Sequence, residues 1–191
     1  MIWFTSDTHF GHKNIAGPKV TNWESEYRDF ETLDDMDQEL LSQINKYVHQ
    51  QDILFHIGDF CFSSKPKFYR DRIMCNHVYL ITGNHDRPVN YRGLFEEIVD
   101  YKEITHSKQL FCLFHYAMRV WNRSHYGSIH LHGHSHNSID NNWGKSMDVG
   151  VDAIYALKGE YRPISIGEVM KIMEKRKIKN VDYHDRSRNN R

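Results

Sequence analysis

What this chain lacks narrows the field first. Cysteine is scarce: Cys61, Cys75 and Cys112 form an odd count without metal-type spacing, which argues for free thiols rather than a disulfide framework. Long apolar runs are missing too. No stretch approaches the roughly 20 apolar residues of a membrane span, and the first residues show no basic region followed by a cleavable apolar one. The expectation is a cytoplasmic protein with no membrane partner. Net charge is also absent, with 25 Lys and Arg against 25 Asp and Glu, so global electrostatics make no case for nucleic acid. Charge is uneven only locally. Residues 24–39 are acidic, whereas 171–191 carry eight Lys or Arg against three acidic residues. A solvated surface is the ordinary reading of both. Repeats and low-complexity tracts are absent. At 191 residues the chain reads as one domain over 1–179, followed by a polar tail over 180–191 that is expected to be disordered.

Histidine is what the chain has in excess, with fourteen. That number raises the case for metal chemistry, and position must decide which histidines matter. Ile2–Ser6 reads as a buried strand running into Asp7-Thr8-His9. Thr32-Leu33-Asp34-Asp35 resembles a helix start, and Leu33, Met36, Leu40, Leu41, Ile44, Tyr47 and Val48 follow at helical spacing. Ile53–Ile57 is a second strand ending in Gly58-Asp59. A short helix over Phe68–Met74 then leads to the strand Val78–Thr82, which ends at Gly83-Asn84-His85-Asp86. This order predicts an α/β core with parallel early strands. Ile98–Ile104, Leu110–Phe114, Ser128–His132 and Ser146–Val151 are further strands, read as largely antiparallel because no long helix fits between them. Ser165-Ile166-Gly167-Glu168 opens a last helix through about Lys175.

Each polar group thus follows an apolar run, which is where sheets collect ligands. Asp7 and His9, two apart, would share a face on extended backbone and chelate one cation. Taken alone, this pair would be an ordinary turn. Asp59 has two oxygens and can bridge two cations. Asn84 offers a neutral amide oxygen, avoiding negative charge that would repel a phosphate. His115 closes the run 110–114; a single histidine there is more often structural. In His130-Leu131-His132-Gly133-His134-Ser135-His136, the last two histidines share a face by the period-2 rule and can serve one cation or one each of two. His130 and His132 lie deeper and read as core. Nitrogen and oxygen donors without thiolate fit manganese first, with iron, zinc or nickel as alternatives.

Asp-x-His, Gly-Asp, Gly-Asn-His-Asp, an isolated His and Gly-His-x-His, in this order over residues 1–152, resemble the calcineurin-like metallophosphoesterase family. The resemblance implies an α/β fold, a four-layer α/β/β/α sandwich of two mixed sheets flanked by helices, with a dimetal site at strand carboxyl ends. It implies one divalent metal ion on Asp7, His9, Asp59 and His136, and a second on Asp59, Asn84, His115 and His134. His85 matches the family's catalytic histidine, with Asp86 placed to orient it. The implied reaction is attack of a metal-bridging hydroxide on a phosphodiester or nucleotide-type phosphate ester.

His12 and Asn14 follow the first motif closely and are candidate substrate contacts, as is Arg119, whose guanidinium matches phosphate. Trp121 and Tyr126, in the same loop as Arg119, are candidates for stacking on a base. Trp23–Asp37 is the one sizeable lid candidate. Two other functions compete. One is a nuclease guided onto DNA or RNA by the basic tail; the other is a non-catalytic protein-binding scaffold on the same fold. The intact motif set argues against the scaffold, and neutral charge against the nuclease.

Overall fold

A computed structural model describes residues 1–21, 28–140 and 143–179. The tail 180–191 and the part 23–27 of the lid candidate lie outside the described residues. Two sheets carry the fold. The first has the order β4-β3-β2-β1-β9, from Ile98–Val99 (β4), His77–Ile81 (β3), Ile53–His56 (β2), Ile2–Thr5 (β1) and Ile164–Ser165 (β9). Its strands β1 to β4 are parallel and β9 is antiparallel. The second has the order β5-β6-β7-β8, from Tyr101–His106 (β5), Gln109–Phe114 (β6), Ile129–His132 (β7) and Ser146–Asp148 (β8). Helices α1 (Leu33–Tyr47), α2 (Pro66–Arg70), α3 (Val151–Lys158) and α4 (Ile166–Glu174) complete the two flanked mixed sheets expected from the sequence.

Period-2 alternation builds both cores. Trp3, Leu54, Val78 and Leu80 point to one side of the first sheet, where Met36, Leu40 and Ile44 of α1 cover them. Phe4, Phe55 and Ile81 point to the other, against Phe111, Leu113, Ile129 and Leu131 of the second sheet. Phe4 stacks between Phe55 and Phe111 at centroid distances of 5.8 and 6.1 Å. Burying such side chains on both sides supplies the main driving force, roughly 25 cal/mol per Å² of apolar surface. Thr32 caps α1 by accepting from the Asp35 N–H, and Ser165 and Glu168 form the capping box of α4. The three cysteines are free and buried. No helix among the described residues is long and apolar enough to cross a membrane.

Four expectations are corrected. In the second sheet β6, β7 and β8 are parallel to each other, and β5–β6 is the antiparallel pair. The loops 115–128 and 133–145 return the chain with no α-helix among the described residues, so all three strands end at the same edge. Ile98–Ile104 is not one strand: it breaks at Asp100, with β4 joining the first sheet and β5 the second. The short helix starts at Pro66 rather than Phe68 and ends at Arg70, because proline suits the first helical turn. Val151, read as a strand end, opens α3 instead.

Candidate metal centre

Because β1, β2 and β3 are parallel in one sheet and β6, β7 and β8 in the other, six strand ends open onto one edge. There the chain places Asp7 and His9 after β1, Asp59 after β2, Asn84 after β3, His115 after β6, and His134 and His136 after β7. Two donor groups result, Asp7–His9–His136 and Asp59–His115–His134, each with its ligand-type atoms within 4.8 Å of one another. Asp59 stands between them. Its Oδ2 lies 3.6 Å from Nε2 of His9 and 3.4 Å from Nε2 of His115. Asn84 belongs with the second group, its Oδ1 being 3.1 Å from His115 Nε2 and 2.9 Å from His134 Nδ1. Nε2 of His136 and of His9 are each 4.0 Å from Asp7 Oδ1.

The local backbone is not the extended chain assumed for Asp7-x-His9 and His134-x-His136. Asp7, His9, Asp59, His134 and His136 all have left-handed φ, between 44 and 67°. Such a conformation costs a non-glycine residue about 1–2 kcal/mol, and it turns consecutive donors inward where strand alternation would leave them along the sheet. Close approach explains Gly133, where an added Cβ would collide with Ser6 and Asp7. Backbone hydrogen bonds hold the loops together: His134 N–H donates to both oxygens of Asp7 at 3.1 Å, and His9 N–H to the Asp59 carbonyl at 3.0 Å.

Electrostatics follow from burial. Burial drives the Asp7 carboxyl up to about 7, opposed by His136 and assisted by Asp148. His9 is pushed well down by burial, against the pull of Asp59, so it presents a neutral imidazole. Burial also disfavours protonated His115, but its hydrogen bond to Asp59 and the field of Asp7 outweigh that and lift it to about 9. His115 Nδ1 donates to the Ile57 carbonyl at 2.8 Å, which turns Nε2 toward Asp59 and Asn84. His136 is oriented likewise, its Nδ1 meeting Asp152 Oδ2 at 2.6 Å.

The donor set suits divalent cations. Nε2 of His9 is buried without a hydrogen-bond partner, and a buried polar atom in that state is costly unless something satisfies it. Two buried carboxylates, imidazole nitrogens and one amide oxygen, with no thiolate, match the borderline-hard metals.

The remaining candidates divide. His85 is exposed at the mouth, its backbone N–H donating to Asp59 Oδ1 at 2.9 Å and its ring 5.6 Å from that of His9. His12 lies beside it, 5.5 Å from the His9 ring and stacked on Phe62 at 4.0 Å. Asp86 does not reach the His85 ring. Its two oxygens accept from the N–H groups of Asp59, Phe60 and Gly83 and from the Tyr91 hydroxyl, so it clamps the Asp59 loop to the Asn84 loop. Asn14 is exposed on the 3-10 helix Lys13–Ala16 and makes no hydrogen bond to the cluster among the described residues. Arg119 lies over Trp143 at 5.2 Å and lines a cavity of about 330 Å³ with Met118 and His132, away from the donors. Trp121 is a buried anchor donating to the Ser128 carbonyl.

Motif reading missed two residues. Arg28 is fully buried, and its guanidinium makes two 2.8 Å bonds to Asp152 while donating to the carbonyls of Asp7 and Thr8. Asp152, in the first turn of α3, joins that cation to His136. The only sequence signal was a lone arginine inside an acidic run.

No family model matches the sequence. Among solved structures, a protein of unknown function from Aquifex aeolicus, AQ665, superposes with TM-score 0.67 at 24% identity, covering 90% of this chain and 98% of that one. YfcE, a phosphoesterase from E. coli, superposes with TM-score 0.50 at 16% identity, covering 87% of this chain and 82% of the other. These likenesses show the fold, which this chain shares with both proteins. Among sequences, the uncharacterized protein MJ1445 of Methanocaldococcus jannaschii is 31% identical over 186 residues, 93% of each chain. At that identity over nearly its whole length, the chain belongs to the MJ1445 family.

Proposed function

We propose that this protein is a phosphoesterase dependent on two divalent metal ions, manganese foremost, and that its substrate is a phosphodiester or nucleotide-type phosphate ester. The observation that carries the reading is Asp59, whose single oxygen Oδ2 stands within 3.6 Å of imidazole nitrogens from both donor groups. Asp7, His9, Asp59 and His136 would hold one cation, and Asp59, Asn84, His115 and His134 the other. Bound there, the pair would supply Lewis acidity toward phosphoryl oxygens and an activated water.

The chain's own residues then have distinct tasks. Asp59 fixes the spacing of the two donor groups while accepting the His85 N–H, so the catalytic imidazole is tied to the centre through the backbone. His85 can pass a proton to the departing oxygen, being exposed at the mouth and of the type suited to transfer near neutrality. Asn84 adds no negative charge where a phosphate must approach. Asp86 acts at one remove: it keeps two loops in register and thereby holds Asp59 and His85 in place. His12, beside His85, is a substrate contact in this reading.

Hydrolysis of bis(p-nitrophenyl) phosphate, p-nitrophenyl phosphate, a cyclic nucleotide and single-stranded DNA by manganese-loaded protein tests the proposal. Turnover of the diester, abolished by chelation and restored by metal, is the expected result. Failure of all four substrates with two metals bound would refute it.

A further inference from the structure

A cavity of about 390 Å³ opens on the His85 side of the centre, between the loop after β2 and the loop after β3. Its wall joins Phe62 and Ser64 to Asn84, His85, Arg87 and Asn90. The outer part of this wall contributes nothing to the donor set. Arg87 is exposed and makes no ion pair or side-chain hydrogen bond among the described residues, and the same holds for the side chains of Ser64 and Asn90. Phe62 is 51% exposed, with His12 stacked against it and the His85 ring at 5.3 Å. Asp86, next in the chain, is buried with both oxygens taken by three backbone N–H groups and the Tyr91 hydroxyl, and it forms no ion pair with Arg87 among the described residues.

We infer that this cavity is the leaving-group site and that the leaving group is a nucleoside carrying a further phosphate. The inference rests on the phosphoesterase reading, which makes His85 the proton donor to the departing oxygen and so puts the departing half of the substrate on its side. The half-exposed ring of Phe62 gives a planar base an apolar surface to pack on. Arg87, two residues after His85 on the same wall, offers a guanidinium fork to a further phosphate on the departing half. Ser64 and Asn90 supply the hydroxyl and amide partners that a sugar requires. A simple aryl ester would leave Arg87, Ser64 and Asn90 without work, whereas a phosphorylated nucleoside engages all of them.

The test compares three substrates on manganese-loaded protein: bis(p-nitrophenyl) phosphate, a dinucleoside monophosphate, and the same dinucleotide bearing a terminal phosphate on its leaving nucleoside. The terminal phosphate is expected to raise kcat/KM about tenfold, the worth of one charge-assisted contact. Arg87→Ala should erase that gain, and Phe62→Ala should raise KM for both dinucleotides. Both residues are exposed, so neither change threatens folding. No gain from the terminal phosphate, or a gain that survives Arg87→Ala, overturns the inference while hydrolysis of the bis-aryl ester keeps the phosphoesterase reading intact. Absence of hydrolysis on all three substrates fails that reading itself.

Discussion

Arg28 and Asp152, 124 positions apart, meet in a fully buried two-pronged ion pair, with Nε and Nη2 each 2.8 Å from a carboxylate oxygen. The pair is also a strut. Arg28 donates to the carbonyls of Asp7 and Thr8, and Asp152 receives His136, so one guanidinium supports the loops after β1 and β7 together. The nearby arginine holds the Asp152 carboxyl well below the usual carboxylate range even though burial alone would raise it.

Removing one partner of such a pair strands the other charge in the interior, which costs about 3–5 kcal/mol. Arg28→Ala should therefore lower the unfolding free energy in urea by that amount. Arg28→Lys should recover little, since an ammonium cannot span Asp152 and two carbonyls in the same fork geometry. A loss below about 1 kcal/mol for the alanine variant would show that the strut carries no weight.

His85 and Asp86 are neighbours with separable effects. His85→Ala should cut turnover by about 10²–10⁴-fold while metal content per chain, read by elemental analysis, stays near that of the parent. Asp86→Ala removes the acceptor shared by three backbone N–H groups and a tyrosine hydroxyl. It should lower both melting temperature and metal content. If His85→Ala empties the site as Asp86→Ala does, the proton-transfer role goes to another group.

Acid sensitivity should come from buried histidines outside the donor set. Burial holds His56 and His130 down at about 3. His130 is enclosed by backbone, Nδ1 donating to the Cys112 carbonyl and Nε2 3.1 Å from both the Met118 N–H and the Tyr116 carbonyl. In the unfolded chain both return to roughly 6.5. Between those values the unfolded state binds protons that the folded state does not, so their stabilisation is complete above about pH 6.5 and declines as pH falls toward 3. Each histidine should add a slope of about 1.4 kcal/mol per pH unit in that window. Urea titrations of chelated protein at several pH values check this, and His130→Asn should flatten the slope. A slope that His130→Asn leaves unchanged would contradict it.

Much of the site was legible because each donor directly follows an apolar run, and chain order alone put Asp7, Asp59, Asn84, His115, His134 and His136 at strand ends. The means of convergence was not legible. Left-handed backbone at Asp7, His9, Asp59, His134 and His136 leaves no periodic signature, and the period-2 reasoning applied to those pairs assumed the wrong conformation. The second sheet was misread for a related reason: parallel return through a loop lacks the helical pattern that announces a crossover. Asp100 gave no warning that β4 and β5 belong to different sheets. Arg28 and Asp152 could not be paired, since an ion pair between distant loops has no spacing rule.

The direct test of the whole account is anomalous diffraction from crystals grown with manganese. Two peaks roughly 3.5–4 Å apart should appear, one bounded by Asp7, His9 and His136 and the other by Asn84, His115 and His134, with the Asp59 carboxylate touching both. A single peak that Asp59 does not touch, or none at this edge of the sheets, would contradict it.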